Sequence, residues 1–229
     1  MAEKKRSYDD PCGVARALDV IGERWALLVV RELLLGPKRF TDLTDGLPGL
    51  SPNVLSQRLR DLEGDGVVRR RMLGPPARSR VYELTERGAA LEPLLIELAR
   101  WGSRVPLDTT GDLSVDALAL ALKTTFDPVA AAGLSARYAL RLGDDELHAE
   151  IRDGAFTIAR ARAARPDATI TTDARTFRGL VFGGRHLGEA ERDGDVTVEG
   201  DHDAVATLVT SFPRPQAVDE PVSRAASGG

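Results

Sequence analysis

The chain has little of what disulfide-stabilised, metal-binding or membrane-spanning proteins use. Its 229 residues include one cysteine, Cys12, and three histidines that lie far apart in sequence. One cysteine cannot form an internal disulfide, and scattered histidines predict no zinc site. No apolar run approaches the roughly 20 residues that cross a bilayer, and the opening MAEKKRSYDD lacks the apolar core of a signal peptide. We therefore expect a cytoplasmic protein with no membrane partner.

Catalytic motifs are missing as well. The sequence has no nucleophile elbow, no phosphate-binding loop and no complete dinucleotide fingerprint. Asp201 and Asp203 flank a predicted helix start, where capping explains a carboxylate. The expectation is that the protein is not an enzyme and holds no metal or cofactor.

Charge is distributed unequally along the chain. Residues 1–106 carry 18 Lys and Arg against 15 Asp and Glu, whereas the remainder carries 13 against 20. Such an asymmetry predicts two modules with different partners. Because VPLDTTGDL separates two helical patterns near the change, we predict one domain over 1–106, a second over 113–212 and a disordered tail over 213–229.

The first half has the pattern of several helices followed by a hairpin. Helical spacing of apolar residues predicts a first helix capped by Asp10 with Pro11 at its first position, then helices over RWALLVVRELLL and RFTDLTDGL. Ser51 and Pro52 mark the start of a fourth helix, since a hydroxyl caps it and proline needs no N–H there. VVRRRM and RVYEL have strand-forming residues, and LGPPARS joins them.

The fourth helix has a polar face suited to reading base edges. Its predicted inner side consists of Val54, Leu55, Leu59 and Leu62. Amides pair with adenine and arginine pairs with guanine or phosphate, so such a helix can lie in a major groove. An ordinary solvated face is the alternative. The residues predicted to contact DNA from this helix are Ser51, Asn53, Ser56, Gln57 and Arg60.

The hairpin favours the DNA-binding interpretation, because residues 69–80 contain five arginines and no acid. Helix, turn, polar-faced helix and basic hairpin is the order of a winged helix, whose wing contacts the DNA backbone or minor groove. Strand side chains alternate between faces, so at most two of the three consecutive arginines point to DNA. The predicted contacts are Arg71, Arg78 and Arg80, of which the last two lie beside the tip.

Residues 11–102 resemble the HxlR-type transcriptional regulators, relatives of the MarR winged helices. The resemblance rests on LDVIGERW, LLLGPKRFTDL, GLSPNVLSQRLRDLEGDGVV and YELTERG, in this order and after a cysteine. It implies a dimeric regulator of transcription that binds double-stranded DNA through a recognition helix over 52–63. It also implies a candidate sensor of oxidants or electrophiles in Cys12, whose thiol pKa helix N–H groups can lower. A small packed residue at a helix start is the simpler interpretation of Cys12.

One helical stripe in the first half is unusually apolar. The run TERGAALEPLLIELARWGSRV places Leu91, Leu94, Leu95, Leu98 and Val105 on the same side. A second copy of the chain is the predicted cover, and packing against the second domain is the alternative. Two copies would read half-sites about one helical turn apart.

The second half predicts an α+β domain with an antiparallel sheet. A helix over DLSVDALALALKTTF precedes strands over SARYALRLG, DELHAEIRDG, AFTIARARA and DATITT. A helix capped by Asp173, the strand DVTVEG and a helix capped by Asp201 follow. Helices that follow strands in this way are expected to cover one face of the sheet.

The order of these elements over about 100 residues, and above all residues 166–212, resembles the sterol carrier protein type-2 fold. The features that carry the resemblance are a strand, a helix, a gap and VTVEGD leading into the last helix. The resemblance implies an apolar tunnel that accepts a hydrophobic small molecule. The stripes that are candidates to line it are Phe177, Leu180 and Val181, then Val205, Leu208 and Val209. Such stripes can also fill a core, which would leave the domain as a scaffold or dimer contact.

Together these patterns predict a homodimeric DNA-binding regulator, a repressor, whose DNA affinity is modulated by a hydrophobic small molecule. Its predicted fold is a winged helix-turn-helix domain followed by an α+β domain of sterol-carrier type. The alternatives are a lipid carrier with a winged-helix interaction module and a redox or electrophile sensor acting through Cys12.

Overall fold

The computed structural model describes residues 7–74, 78–105 and 111–214, which form two domains around two separate hydrophobic cores. Among the helices of these described residues, none combines the length and the apolar composition of a membrane span. The tip of the predicted hairpin, much of the segment between the domains and nearly all of the predicted tail lie outside the described residues.

The first domain has the predicted winged helix-turn-helix fold. Its second helix lies at the centre of the core, with Val29, Val30 and Leu33 almost fully buried. The two strands of this domain, which follow its fourth helix, pair as an antiparallel hairpin, here called the wing. In chain order the elements are α1 (Gly13–Ile21), α2 (Ala26–Leu33), α3 (Phe40–Gly46), α4 (Pro52–Gly64), β1 (Val68–Met72), β2 (Arg80–Leu84), α5 (Glu86–Ala89) and α6 (Glu92–Gly102).

Two helix boundaries in this domain differ from the prediction. Asp10 does not cap α1: its carboxylate accepts the N–H of Cys12 at 2.8 Å, and the helix begins after Cys12. The single apolar helix predicted near the end of the domain is two helices, α5 and α6. Pro93 lies in the first turn of α6, where its missing N–H costs nothing, whereas inside one continuous helix it would break the hydrogen bonding.

The second domain is a five-stranded sheet with helices. Its elements are α7 (Val115–Thr125), β3 (Ala136–Leu142), β4 (Asp145–Arg152), β5 (Ala155–Ala159), β6 (Ala168–Thr172), α8 (Ala174–Phe182), α9 (Leu187–Arg192), β7 (Thr197–Gly200) and α10 (His202–Thr210). The predicted caps are confirmed, because Asp173 accepts the N–H of Thr176 at 2.7 Å and Asp201 accepts that of Ala204 at 2.9 Å. The short helix α9 was not predicted.

The prediction of an antiparallel sheet is wrong at one pair of strands. The strand order is β5-β4-β3-β6-β7, and β3 pairs with β6 in parallel while the other pairs are antiparallel. After β5 the chain crosses to the far side of β3, so β6 runs in the direction of β3. The sheet is therefore mixed.

Helix α7 joins the two domains, because it contributes to both cores. Leu118 and Leu122 belong to the core of the second domain, whereas Leu120 belongs to that of the first. The helix is capped by Ser114, whose hydroxyl accepts the N–H of Ala117 at 3.1 Å. A shift of one domain against the other must therefore move apolar side chains of α7 in at least one core.

Candidate nucleic-acid interface

Helix α4 is held in place by its apolar side and presents its polar side to solvent. Leu55, Leu59 and Leu62 are at most 1 % exposed. Ser51 caps the helix through its hydroxyl, which accepts the N–H of Val54 at 3.4 Å. Val54 was predicted to point inward, but it is 40 % exposed, since it lies in the first turn at the edge of the core.

The structure brings the predicted α4 contacts together on this outer side. Asn53, Gln57 and Arg60 are exposed, and Ser56 is half-buried. An arginine and an amide on such a surface provide donors and acceptors for base edges and phosphates. The exposed side of α4 therefore carries the amide and guanidinium groups that the predicted DNA contacts require.

These side chains also bond to one another. Arg60 Nη2 donates to Gln57 Oε1 at 2.6 Å, and Gln57 Nε2 donates to Asp61 Oδ1 at 2.7 Å. Arg58 Nη1 in turn donates to Asp61 Oδ2 at 3.1 Å. This chain of hydrogen bonds fixes the orientation of the Gln57 and Arg60 side chains on the surface of the helix.

Three wing arginines have acidic partners that lie outside the acid-free segment. Arg69 Nε and Arg71 Nε pair with the two carboxylate oxygens of Glu83, at 2.8 and 2.9 Å. Arg70 pairs with Glu63 at 2.8 Å on the other face. The signal in the sequence was the hairpin register, which places Arg69 directly opposite Glu83. The absence of acids in residues 69–80 predicted a free positive charge at Arg71, but its ion pair with Glu83 neutralises much of that charge.

Arg78 and Arg80 differ from these three arginines. Both are exposed, and neither side chain has an ion-pair partner among the residues that the structure describes. Arg78 has a positive φ of 37°, an uncommon conformation for a residue other than glycine. Their guanidinium groups remain available for phosphates.

The outward side of α6 is apolar, but the predicted stripe is split. Leu95 is buried in the core and Leu91 is half-buried, so the inner half of the stripe covers the chain's own domain. The exposed residues, here called the α6 outer face, follow at helical spacing and are Leu94, Leu98, Trp101 and Val105. The second domain contacts α6 through α7, where Lys123 pairs with Glu92 at 2.6 Å.

Cys12 is exposed and occupies the N-cap position of α1, so its prediction as a packed residue is wrong. The N–H groups of Val14 and Ala15 point toward its sulfur and lower the pKa of the thiol below its ordinary value. The packed position predicted for Cys12 is not observed because α1 begins at Gly13, later than expected, which leaves Cys12 outside the core. An exposed thiol beside helix N–H groups is the arrangement that favours the thiolate.

The candidate ligand residues of the second domain are part of its core. Phe177, Leu180 and Val181 of α8 pack in one cluster with Val205 and Leu208 of α10, and Val209 is partly buried against it. Tyr138 is fully buried in the same cluster, and its hydroxyl donates to the carbonyl of Ala204 at 3.0 Å. The two apolar stripes thus meet, as a tunnel lining or a filled core requires.

A buried group of charged side chains between the domains was not predicted. Glu32 of α2 is fully buried and accepts from Arg31, Lys38 and the hydroxyl of Ser114. Lys38 also donates to Asp116 Oδ2 at 2.5 Å. Ser114 and Asp116 lie about 80 residues beyond Glu32 and Lys38 in sequence, so no local pattern could have indicated that they meet.

Asp116 is the member of this group that belongs to α7. Arg160 donates to its Oδ2 at 2.9 Å and also pairs with Asp145. Burial raises the pKa of Asp116 above its ordinary value, whereas Lys38 and Arg160 act in the opposite direction. The carboxylate therefore depends on its cationic partners to stay ionised.

Two family models match the chain. Residues 20–108 match the HxlR-like helix-turn-helix family, and residues 104–218 match the alkyl sulfatase C-terminal family. The second match leaves the sterol-carrier type of the second domain unconfirmed.

The first half of the chain is similar to known transcriptional regulators. YvaP from Bacillus subtilis (strain 168), an uncharacterized HTH-type transcriptional regulator, is 43% identical over 89 residues, which are 38% of this chain and 82% of YvaP. YodB from the same organism, an HTH-type transcriptional regulator, is 35% identical over 88 residues, which are 38% and 79% of the two chains. The solved structure of reduced YodB is 33% identical and covers 44% of this chain and 98% of its own, with a TM-score of 0.38.

Proposed function

Because the chain belongs to the HxlR-like helix-turn-helix family of transcriptional regulators, we propose that it is a homodimeric repressor that reads DNA through α4 and the wing. The observation that carries the proposal is the exposed set of Asn53, Gln57 and Arg60 on a helix whose other side is anchored in the core. In the proposed complex α4 lies in the major groove, and Arg78 and Arg80 contact phosphates beside it.

Replacing Arg80 by alanine tests the wing. We expect weaker binding to all DNA sequences and a slope of log affinity against log salt that falls by about 1 for each protomer, because one phosphate loses its arginine partner. Fluorescence anisotropy with a labelled duplex at several salt concentrations measures this slope. Arg152→Ala, which removes the same charge from the second domain, is the control. An Arg80→Ala slope equal to that of the control would exclude Arg80 from the interface.

Dimerisation through the α6 outer face is the second part of the proposal. Leu98 and Trp101 are exposed at 45 % and 72 %, and burying such side chains in a partner removes apolar surface from water. A two-fold dimer would present two copies of α4 to adjacent turns of one duplex.

A Leu98→Glu variant is expected to be monomeric in light scattering at concentrations where the parent chain is dimeric. A buried, unpaired carboxylate on each side of the contact opposes association. Val129→Glu, an apolar-to-acid change at another exposed position, should remain dimeric. A Leu98→Glu protein with the parent mass would place the dimer contact elsewhere.

A hydrophobic effector in the second domain, of sterol-carrier type, is the proposed source of regulation. What supports it is the meeting of the α8 and α10 apolar stripes against the sheet. Such a ligand can change DNA binding only by favouring one arrangement of the two domains over another. α7, which is shared by both cores, is the element through which such a preference would reach α2 and α4.

Sensing through Cys12 is a second candidate function, favoured by the exposed thiol at the start of α1 and the lowered pKa. The thiolate is the reactive form of cysteine, so a lowered pKa means faster modification at neutral pH. Modification at this position would act on α1, which contacts α4 in the first domain.

The thiol prediction is that iodoacetamide labels Cys12 with a pH dependence whose midpoint lies below that of an ordinary cysteine. The rate rises as pH passes through the thiol pKa, and that pKa is lowered by the N–H groups of α1. Mass spectrometry follows the labelling. Cys12→Ser should abolish any effect of oxidant on DNA affinity that the parent shows. An oxidant response that persists in Cys12→Ser would remove this candidate function.

A further inference from the structure

A polar cleft of about 550 Å³ lies between the helix-turn-helix and the second domain. Asp42 and Asp45 line it from α3. Asp144 lines it from the turn between β3 and β4, Asp145 from the start of β4, and Asp116 from the first turn of α7. Both domains thus contribute carboxylates to one space.

The cleft has more negative than positive charge. Five aspartates line it, against Lys38 and Arg160. Both cations are already paired, Lys38 with Glu32 and Asp116, and Arg160 with Asp116 and Asp145. Asp45 and Asp144 have no ion-pair partner within the described ranges. The unbalanced charge therefore favours a cation from solution.

Asp116 gives an independent indication of a ligand. Asp116 is 3 % exposed. Its Oδ2 accepts hydrogen bonds from Lys38 and Arg160, whereas its Oδ1 has no hydrogen-bond partner in the described part of the chain. Buried carboxylate oxygens are rarely left without a donor. Oδ1 has almost no solvent-accessible area, but Asp116 lines the cleft, so a rotation of its side chain would turn this oxygen toward a donor held there.

From this arrangement we propose that the cleft binds a small organic dication, a molecule with two ammonium groups on a short chain. Each ammonium offers three donors and no acceptor, which suits a cleft lined by carboxylates from two domains. In the described residues no group of three acidic, histidine or cysteine side chains is placed to hold a metal ion. The polar lining offers little to a hydrophobic ligand.

The position of the cleft connects it to both proposed DNA-contacting elements, and this regulatory part of the inference rests on the proposed function. α3 immediately precedes the turn into α4. Lys38 exchanges two backbone hydrogen bonds with Tyr82 of β2, at 2.9 and 2.8 Å, and so supports the wing. A dication held by α3 on one side and by the β3–β4 turn on the other fixes the helix-turn-helix against the second domain and changes DNA affinity.

Isothermal calorimetry of the full chain with 1,5-diaminopentane tests the site. We expect one molecule bound per protomer, and binding at least about tenfold weaker for Asp45→Asn/Asp144→Asn, since each loses a charged hydrogen-bond partner. Both positions are exposed, so this variant retains the fold. Asp153→Asn/Asp203→Asn, the same charge change at two exposed positions away from the cleft, should bind like the parent. Equal weakening in both variants would reduce the effect to general charge attraction and overturn the proposal.

Three further titrations decide the ligand class. 1,5-Pentanediol, which has the same chain without charge, should give no binding. Magnesium chloride that binds the parent as tightly as the diamine would overturn an organic ligand. Cholesterol or palmitate that binds while the diamine does not would overturn the cleft and support the hydrophobic effector instead.

DNA affinity measured with and without the diamine tests the regulatory part. Diamines also compete for phosphates, so the relevant quantity is the difference between the parent and Asp45→Asn/Asp144→Asn at the same diamine concentration. A larger response in the parent supports regulation, and equal responses overturn it. A chain that binds the diamine but no DNA would overturn the proposed function and leave the site intact.

Discussion

A Lys38→Met variant is expected to lose about 3–5 kcal/mol of unfolding free energy. The Lys38 ammonium lies between two buried carboxylates, 2.9 Å from Glu32 Oε2 and 2.5 Å from Asp116 Oδ2. Methionine retains most of the volume but leaves these two acids without the cation between them. Arg31 and Arg160 remain as partners, so the loss should fall at the lower end of the range.

Urea unfolding measures this loss, with Lys123→Met as the matched control. Lys123 pairs with Glu92 across α6 and α7, but both side chains are partly exposed, and such pairs contribute about 0–1 kcal/mol. Adding Asp116→Asn to Lys38→Met should recover part of the loss, because one uncompensated buried charge disappears. A Lys38→Met protein as stable as the control would show that the buried group does not hold the domains together.

Replacing Gln57, Arg60 and Arg80 together by alanine is expected to lower affinity for the preferred DNA sequence on the order of 100-fold or more. Removing a side chain that hydrogen-bonds to a base edge typically costs about 1–3 kcal/mol, and removing Arg80 also weakens the attraction to phosphate. Gln57→Ala alone should change which sequences are preferred, because its amide is predicted to read a base edge.

The control for this triple variant removes two positive charges from the second domain, through Arg152→Ala and Arg192→Ala. It separates the effect of specific hydrogen bonds to DNA from the effect of net charge. Both proteins are compared by anisotropy on the same duplex. Unchanged binding by the triple variant would mean that α4 is not the recognition helix.

Local sequence patterns predicted most elements of the fold, because caps and hydrophobic periodicity act within a few residues. Ser51, Asp173 and Asp201 cap the helices that their sequences indicated. Strand direction is not local: the parallel pairing of β3 with β6 depends on a crossover after β5, which alternation along a strand does not show.

Among the candidate sites, too, those formed by residues close in sequence could be predicted, whereas those formed by residues far apart could not. The polar side of α4 could be predicted, since helical spacing alone decides which residues share a face. The pairing of Arg69 and Arg71 with Glu83 required the hairpin register. The group around Glu32 and Asp116 joins residues from both domains, so only the packed structure brings them together.

Selection of bound duplexes from a randomised library is the most direct test of the central proposal, that a dimer of this chain reads DNA through α4. The full chain should enrich two related half-sites about one helical turn apart. The Gln57→Ala variant should enrich a motif that differs within each half-site. Enrichment of no motif by the parent chain, or of the same motif by both proteins, would contradict the account.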